Sequence, residues 1–130
     1  MKAIVRLVLV VALVMTCGSA PAGQTAATAR VMREKLVHAQ QVLRAIMISD
    51  YTLLEQESTA LSRVTKTEGW NVLTSPDYLR QSAAFVRAMD DLVEAAKQRE
   101  LDSAAVGYTV MTMRCYQCHR YLKGARIAGR

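Results

Sequence analysis

The sequence predicts an all-α fold: an up-down-up-down four-helix bundle preceded by a cleaved signal peptide. Three observations carry this expectation. After residue 24, Gly and Pro are scarce and Ala, Leu, Met, Gln, Glu, Lys and Arg dominate, a composition that favours helix. No stretch alternates with the period of two that a half-buried strand requires. Apolar residues recur instead at every third or fourth position in four successive segments with short polar breaks between them, and short connections make antiparallel neighbours.

The first element is a targeting segment. Lys2 and Arg6 form a basic start, and Leu7 to Met15 is an unbroken apolar run followed by small residues. Such a run is too short to span a bilayer comfortably and has the layout of a secretory signal. The small-x-small site Ala20-Pro21-Ala22 places the cut after Ala22, giving a signal peptide over 1–22 and one domain over 23–130. The alternative is lipidation of Cys17, whose surroundings Val14-Met15-Thr16-Cys17 resemble a bacterial lipoprotein box. The expected location is therefore periplasmic, with a membrane tether only if Cys17 is lipidated. The formal charge of the chain is +6, and two of those charges leave with Lys2 and Arg6. The remaining cations alternate with acids along helices, which excludes a nucleic-acid-binding stripe.

In the first helix Met32, Leu36, Ala39, Leu43 and Ile46 step by 4, 3, 4 and 3, within roughly ±40° of one line. Asp50 is placed to cap a second helix carrying Leu54, Leu61 and Val64, with Leu53 beside that stripe. EGWNVLTSPD, residues 68–77, is the clearest break: Ser75 is an N-cap, Pro76 takes the first helical position and Asp77 follows in the first turn. Tyr78, Ser82, Phe85, Met89, Leu92 and Ala96 line one face of the third helix. Asp102 is the expected N-cap of the fourth, which runs through Ala104, Tyr108, Met111, Cys115, Cys118 and Leu122 to a stop at Gly124. Leu36, Leu43, Ile46, Phe85, Met89 and Leu92 are expected to be core.

Within that last helix stands CYQCH, residues 115–119. On a helix Cys115 and Cys118 differ by about 60°, and His119 lies about 40° from Cys115, so all three project from one side. Covalent haem attachment needs this arrangement, with two thioethers holding the vinyl edge and the adjacent imidazole under the iron. Export agrees, because haem is attached to such motifs outside the cytoplasm. A thioredoxin-like dithiol would need its first cysteine exposed at a helix N-terminus after a strand. Zinc would need further ligands, and His38 is the only other His or Cys left in the mature chain. A disulfide between i and i+3 would strain a regular helix. The expected cofactor is one covalent haem c, with His119 as proximal iron ligand. An exported bundle whose cysteines bind another metal is the remote alternative.

An exported four-helix chain with a single CxxCH near its C-terminus resembles the class II c-type cytochromes, cytochrome c-prime and its low-spin relatives. Residues 30–123 carry the resemblance, through Met32 to Trp70, Pro76-Asp77-Tyr78, Leu101-Asp102 and Cys115 to His119. It implies a haem inside one end of the bundle and a division of function by the sixth ligand. Met32, at the start of the first helix, is the candidate distal ligand opposite His119. His/Met ligation suits an electron carrier. If Met32 merely packs, the iron is five-coordinate and the implied role is binding of nitric oxide or another diatomic gas. His38 lies about 120° from Met32, toward a flank or solvent. Lys123, a turn past the histidine, is the implied partner of a haem propionate. Arg30, Arg33, Lys35, Arg114 and Arg120 are expected to form a solvated face, and Tyr108 to lie near the porphyrin or in the core. The expected partner is an unidentified redox protein. Many class II proteins also pair through their first two helices, which brings in a homodimer. No acid/base pair, nucleophile constellation or phosphate loop suggests a conventional enzyme.

Overall fold

The computed structural model describes residues 22–128, and the signal segment with Cys17 lies outside the described residues. The described chain forms four helices and no strands: α1 (Ala22–Met47), α2 (Tyr51–Val64), α3 (Pro76–Gln98) and α4 (Leu101–Ala128). Consecutive helices pack along their lengths, and a sparser contact between α1 and α4 completes the ring, as expected of a four-helix bundle. None of these helices is long and apolar enough to cross a membrane.

Two of the connections are tight. Past the end of α1, Ser49 is a non-glycine residue in the left-handed region at φ 58°, and the Asp50 N–H returns to the Ala45 carbonyl at 2.9 Å. Asp50 then caps α2 as expected, accepting from the Leu53 N–H at 2.9 Å. α3 ends in the same manner at Arg99, φ 59°, and α4 starts directly after it. Asp102 accordingly lies in the first turn of α4 and is not its N-cap. Glu100 holds that end, its carbonyl accepting from Ala104 N at 3.0 Å and its carboxylate from the Ser103 hydroxyl. Gly124 does not stop the helix, which continues to Ala128. It has ordinary helical φ and nothing stands where a Cβ would point.

The third connection is long and ordered. Ser75 caps α3 with Pro76 in the first turn, as the sequence predicts. Before it, Gly69 lies so close to the start of α1 that a Cβ would meet the Ala27 carbonyl oxygen at 2.6 Å and Val31 Cγ2 at 2.8 Å. Trp70 is buried and donates its indole N–H to Ser82 Oγ at 2.6 Å. The Tyr78 hydroxyl donates to the Trp70 carbonyl. Ser75 Oγ and the Tyr121 hydroxyl share a hydrogen bond of 2.9 Å. The start of α1, this loop, the start of α3 and the end of α4 therefore meet at one end of the molecule.

The core comprises Val31, Val42, Ala45 and Ile46 of α1, Leu54, Leu61 and Val64 of α2, Phe85, Ala88, Met89, Leu92, Ala95 and Ala96 of α3, and Ala104 and Met111 of α4. On α1 this is not the expected face. Leu36 is 60% and Leu43 40% exposed. The inward line through Val31, Lys35, Val42, Ala45 and Ile46 is turned roughly 80° from the leucine stripe. The turn points toward α2, where His38 Nδ1 meets Glu57 Oε2 at 2.6 Å.

Candidate haem-attachment site

Cys115 and Cys118 are both free thiols, in the fourth and third turns from the end of the described α4. Their helix has a clear inner face: Ala104, Gly107, Met111 and Cys118 are buried. Gly107 packs closely on Leu92, whose Cδ2 stands 3.1 Å from where a Cβ would be. From that line Cys115 is rotated toward α1 and is half-buried, and His119 is rotated further and exposed. The opposite flank belongs to α3: Val110 and Arg114 border a surface hollow with Ala84, Arg87 and Ala88. The motif thus opens on the seam between α1 and α4, the most sparsely packed in the molecule.

Across this seam lies Lys35. It is 7% exposed, and so the expectation of a solvated lysine is overturned. Its aliphatic stem fills the core position that the helical period assigns to it. Its ammonium stands 4.0 Å from the Phe85 ring centroid and 4.6 Å from that of Trp70, close enough to Cys115 and Cys118 to interact with them electrostatically. No carboxylate forms an ion pair with it among the described residues. Burial lowers its pKa, and nearby thiolate charge on Cys115 and Cys118 would oppose that shift. Polar-versus-apolar patterning had no means of finding this residue. A lysine on the inward line is counted as surface unless an aromatic cluster is known to face it.

The meeting of Lys35 with Cys115 fixes the level of the two antiparallel helices. One turn earlier on α1 is Met32, and one turn later on α4 are Cys118 and His119, so Met32 stands level with the histidine. Met32 is half-buried and packs against the core, with Leu36 beyond it on the seam side. Tyr108 is half-buried two turns before Cys115 on the same flank, also against the core. Lys123 is exposed one turn past His119. His38 is engaged by Glu57 and Glu34 at the α1–α2 boundary, away from the motif.

The electrostatics set the protonation states. Burial pushes the Cys118 thiol up, against the pull of the Lys35 cation. Tyr78, buried close by, is raised by burial and then by Cys118. Part of the His119 ring lies against the protein, and this desolvation, with the Lys35 charge, lowers its pKa. At neutral pH the imidazole is therefore neutral, the form that binds a metal.

The residues present fit a covalently held haem. Two free thiols, Cys118 on the inner face of α4 and Cys115 turned toward α1, stand beside a neutral imidazole, and the facing stretch of α1 carries Met32 and Leu36. No group of three or more His, Cys, Asp or Glu side chains comes together among the described residues to hold a bare metal ion. No protein-family model, curated protein or solved structure matches the chain significantly.

Proposed function

We propose that this chain is an exported, periplasmic monohaem c-type cytochrome of class II type that transfers electrons. The observation that carries the reading is the placement of CYQCH. Both thiols are free, Cys115 and His119 are turned toward the one loosely packed seam with Cys118 buried beside them, and Met32 stands level with the histidine across it. A dithiol catalyst would want its first cysteine exposed at a helix N-terminus. Here the motif lies deep in a 28-residue helix, with its second cysteine the more buried.

The protein groups have separate tasks. The Cys115 and Cys118 thiols would each add across a vinyl double bond, sulfur to one carbon and hydrogen to the other, which anchors the cofactor without a leaving group. His119 would be the proximal iron ligand. Met32 is the candidate on the distal side, and Leu36 and Tyr108 would supply apolar wall. Lys123, exposed one turn past His119, would pair with a propionate. Bound haem supplies the Fe(II)/Fe(III) couple, and filled axial positions favour outer-sphere electron transfer over ligand binding. A second reading, a five-coordinate haem protein binding nitric oxide or another diatomic gas, draws on the packing of Met32 against the core.

The test is expression of the full chain with export and haem-attachment machinery, followed by haem staining and absorption spectroscopy. Stain that depends on Cys115 and Cys118, low-spin bands and the far-red band of methionine coordination are expected. A high-spin ferrous form that takes up carbon monoxide readily would favour the gas-binding reading. Failure to acquire haem would overturn both.

A further inference from the structure

We infer that Lys35 is a buried positive charge set against the haem-attachment edge, and that it holds the reduction potential of the iron above what the same ligands would give without it. The inference rests on the haem reading above and adds to it a residue that neither attaches nor ligates.

Lys35 is the only charged side chain in the buried set of the described residues. No ion pair with a carboxylate involves it among the described residues, and Glu34, its neighbour on α1, and Glu57 of α2 are both turned to His38. What holds the ammonium is the pair of ring faces of Trp70 and Phe85, at 4.6 and 4.0 Å. Ring faces attract a cation and do nothing comparable for a neutral amine. Those rings are themselves fixed, 5.4 Å apart between centroids, and Trp70 is tied at both its N–H and its carbonyl. Burying a charge without a counter-ion costs stability, and a methionine would fill the same volume without that cost.

The position of the charge decides its effect. It acts electrostatically on Cys115 and Cys118, whose sulfurs would carry the vinyl edge of the ring, whereas the propionates of a haem leave from the opposite edge. A haem held there would have its anionic groups on the side away from Lys35, and its iron would feel the ammonium charge more than they do. With neutral His and Met ligands the ferric centre keeps one net positive charge and the ferrous centre none. A neighbouring cation in a low-dielectric interior repels the first and leaves the second untouched, so reduction becomes more favourable.

The experiment uses the full chain, matured with attached haem, as wild type, K35M and K35R. Haem content from the pyridine haemochrome comes first: a wild type without haem removes the cytochrome reading and this inference together. With haem present, K35M is expected to keep the wild-type axial bands and haem content while its midpoint potential moves lower, and K35R to stay close to wild type. An unchanged midpoint in K35M overturns the inference while leaving the cytochrome intact. An equal fall in K35R overturns it too, because shape and not charge would then be responsible. A changed axial band pattern in K35M overturns it by making Lys35 an iron ligand. If K35M fails to accumulate, K35Q gives the same comparison with a polar side chain in place.

Discussion

Trp70 binds the attachment end together through three different surfaces. Its N–H goes to Ser82, its carbonyl receives the Tyr78 hydroxyl, and its ring packs on Phe85 and under Lys35. Each of these partners reports on a residue near the motif, so the geometry of Lys35 is set by α3 and the loop and not by α1 alone. Met32, one turn away, has no such hold. It touches the core from the seam side and no polar contact fixes it, which leaves its thioether the freedom a distal ligand requires. Met32→Ala is therefore expected to convert a six-coordinate low-spin protein to the high-spin form, with loss of the far-red band and uptake of carbon monoxide. Because Met32 is only half-buried, the accompanying loss of stability should be small, roughly 1–2 kcal/mol. An unchanged spectrum would assign Met32 to packing.

At the scale of the helices, α3 was legible and α1 was not, for a physical reason that the residues make plain. In α3 the expected face contains Tyr78, Phe85, Met89, Leu92 and Ala96, and all five are buried. Ser82, the one polar member, has the Trp70 N–H as partner. In α1 a stripe of leucines competes with a line containing Lys35, and hydrophobicity alone chooses the leucines. The bundle chooses the other line because α2 packs there and because two aromatic rings accept the lysine. The motif itself was readable, since CxxCH is defined by spacing. Its environment was not, because Lys35 and Trp70 come from segments 45 to 80 residues distant. Terminators are the other weak point: a glycine late in the apolar stripe signals a stop, yet nothing forces a left-handed residue at Gly124. The two glycines give opposite expectations. Gly69→Ala should destabilise by about 1–3 kcal/mol, because its Cβ meets the fixed Ala27 backbone of α1. Gly124→Ala should stabilise by roughly 0.5–1 kcal/mol, as a helix-interior glycine in open space. Denaturant midpoints of the two variants check this, and equal shifts would contradict the contact at Gly69.

The molecule as a whole is closed unequally at its two ends. At one end two tight turns, each with a left-handed residue, fix the helices, and the Arg99 guanidinium lies 4.6 Å over the Tyr51 ring between them. At the other end α2 is the shortest helix, with 14 residues, and an ordered loop covers the interior that it does not reach. α1 is gripped along α2 but only lightly along α4, leaving Leu36 and Leu43 exposed on the leucine stripe. A cofactor joined to Cys115 and Cys118 would bring apolar surface to that seam and ligate across it, so its effect on stability should be concentrated in α1. The Cys115→Ala/Cys118→Ala variant, which cannot attach haem, is expected to stay helical but to melt several degrees lower. Each 1 kcal/mol lost corresponds to about 4–8 °C in a domain of this size. Amide exchange should localise the difference, with α1 of the variant exchanging faster than in the haem-loaded protein and α3 little changed. Equal slowing of all four helices on haem attachment would instead mean that the cofactor stabilises the bundle globally, and that the α1–α4 seam has no special part in holding it.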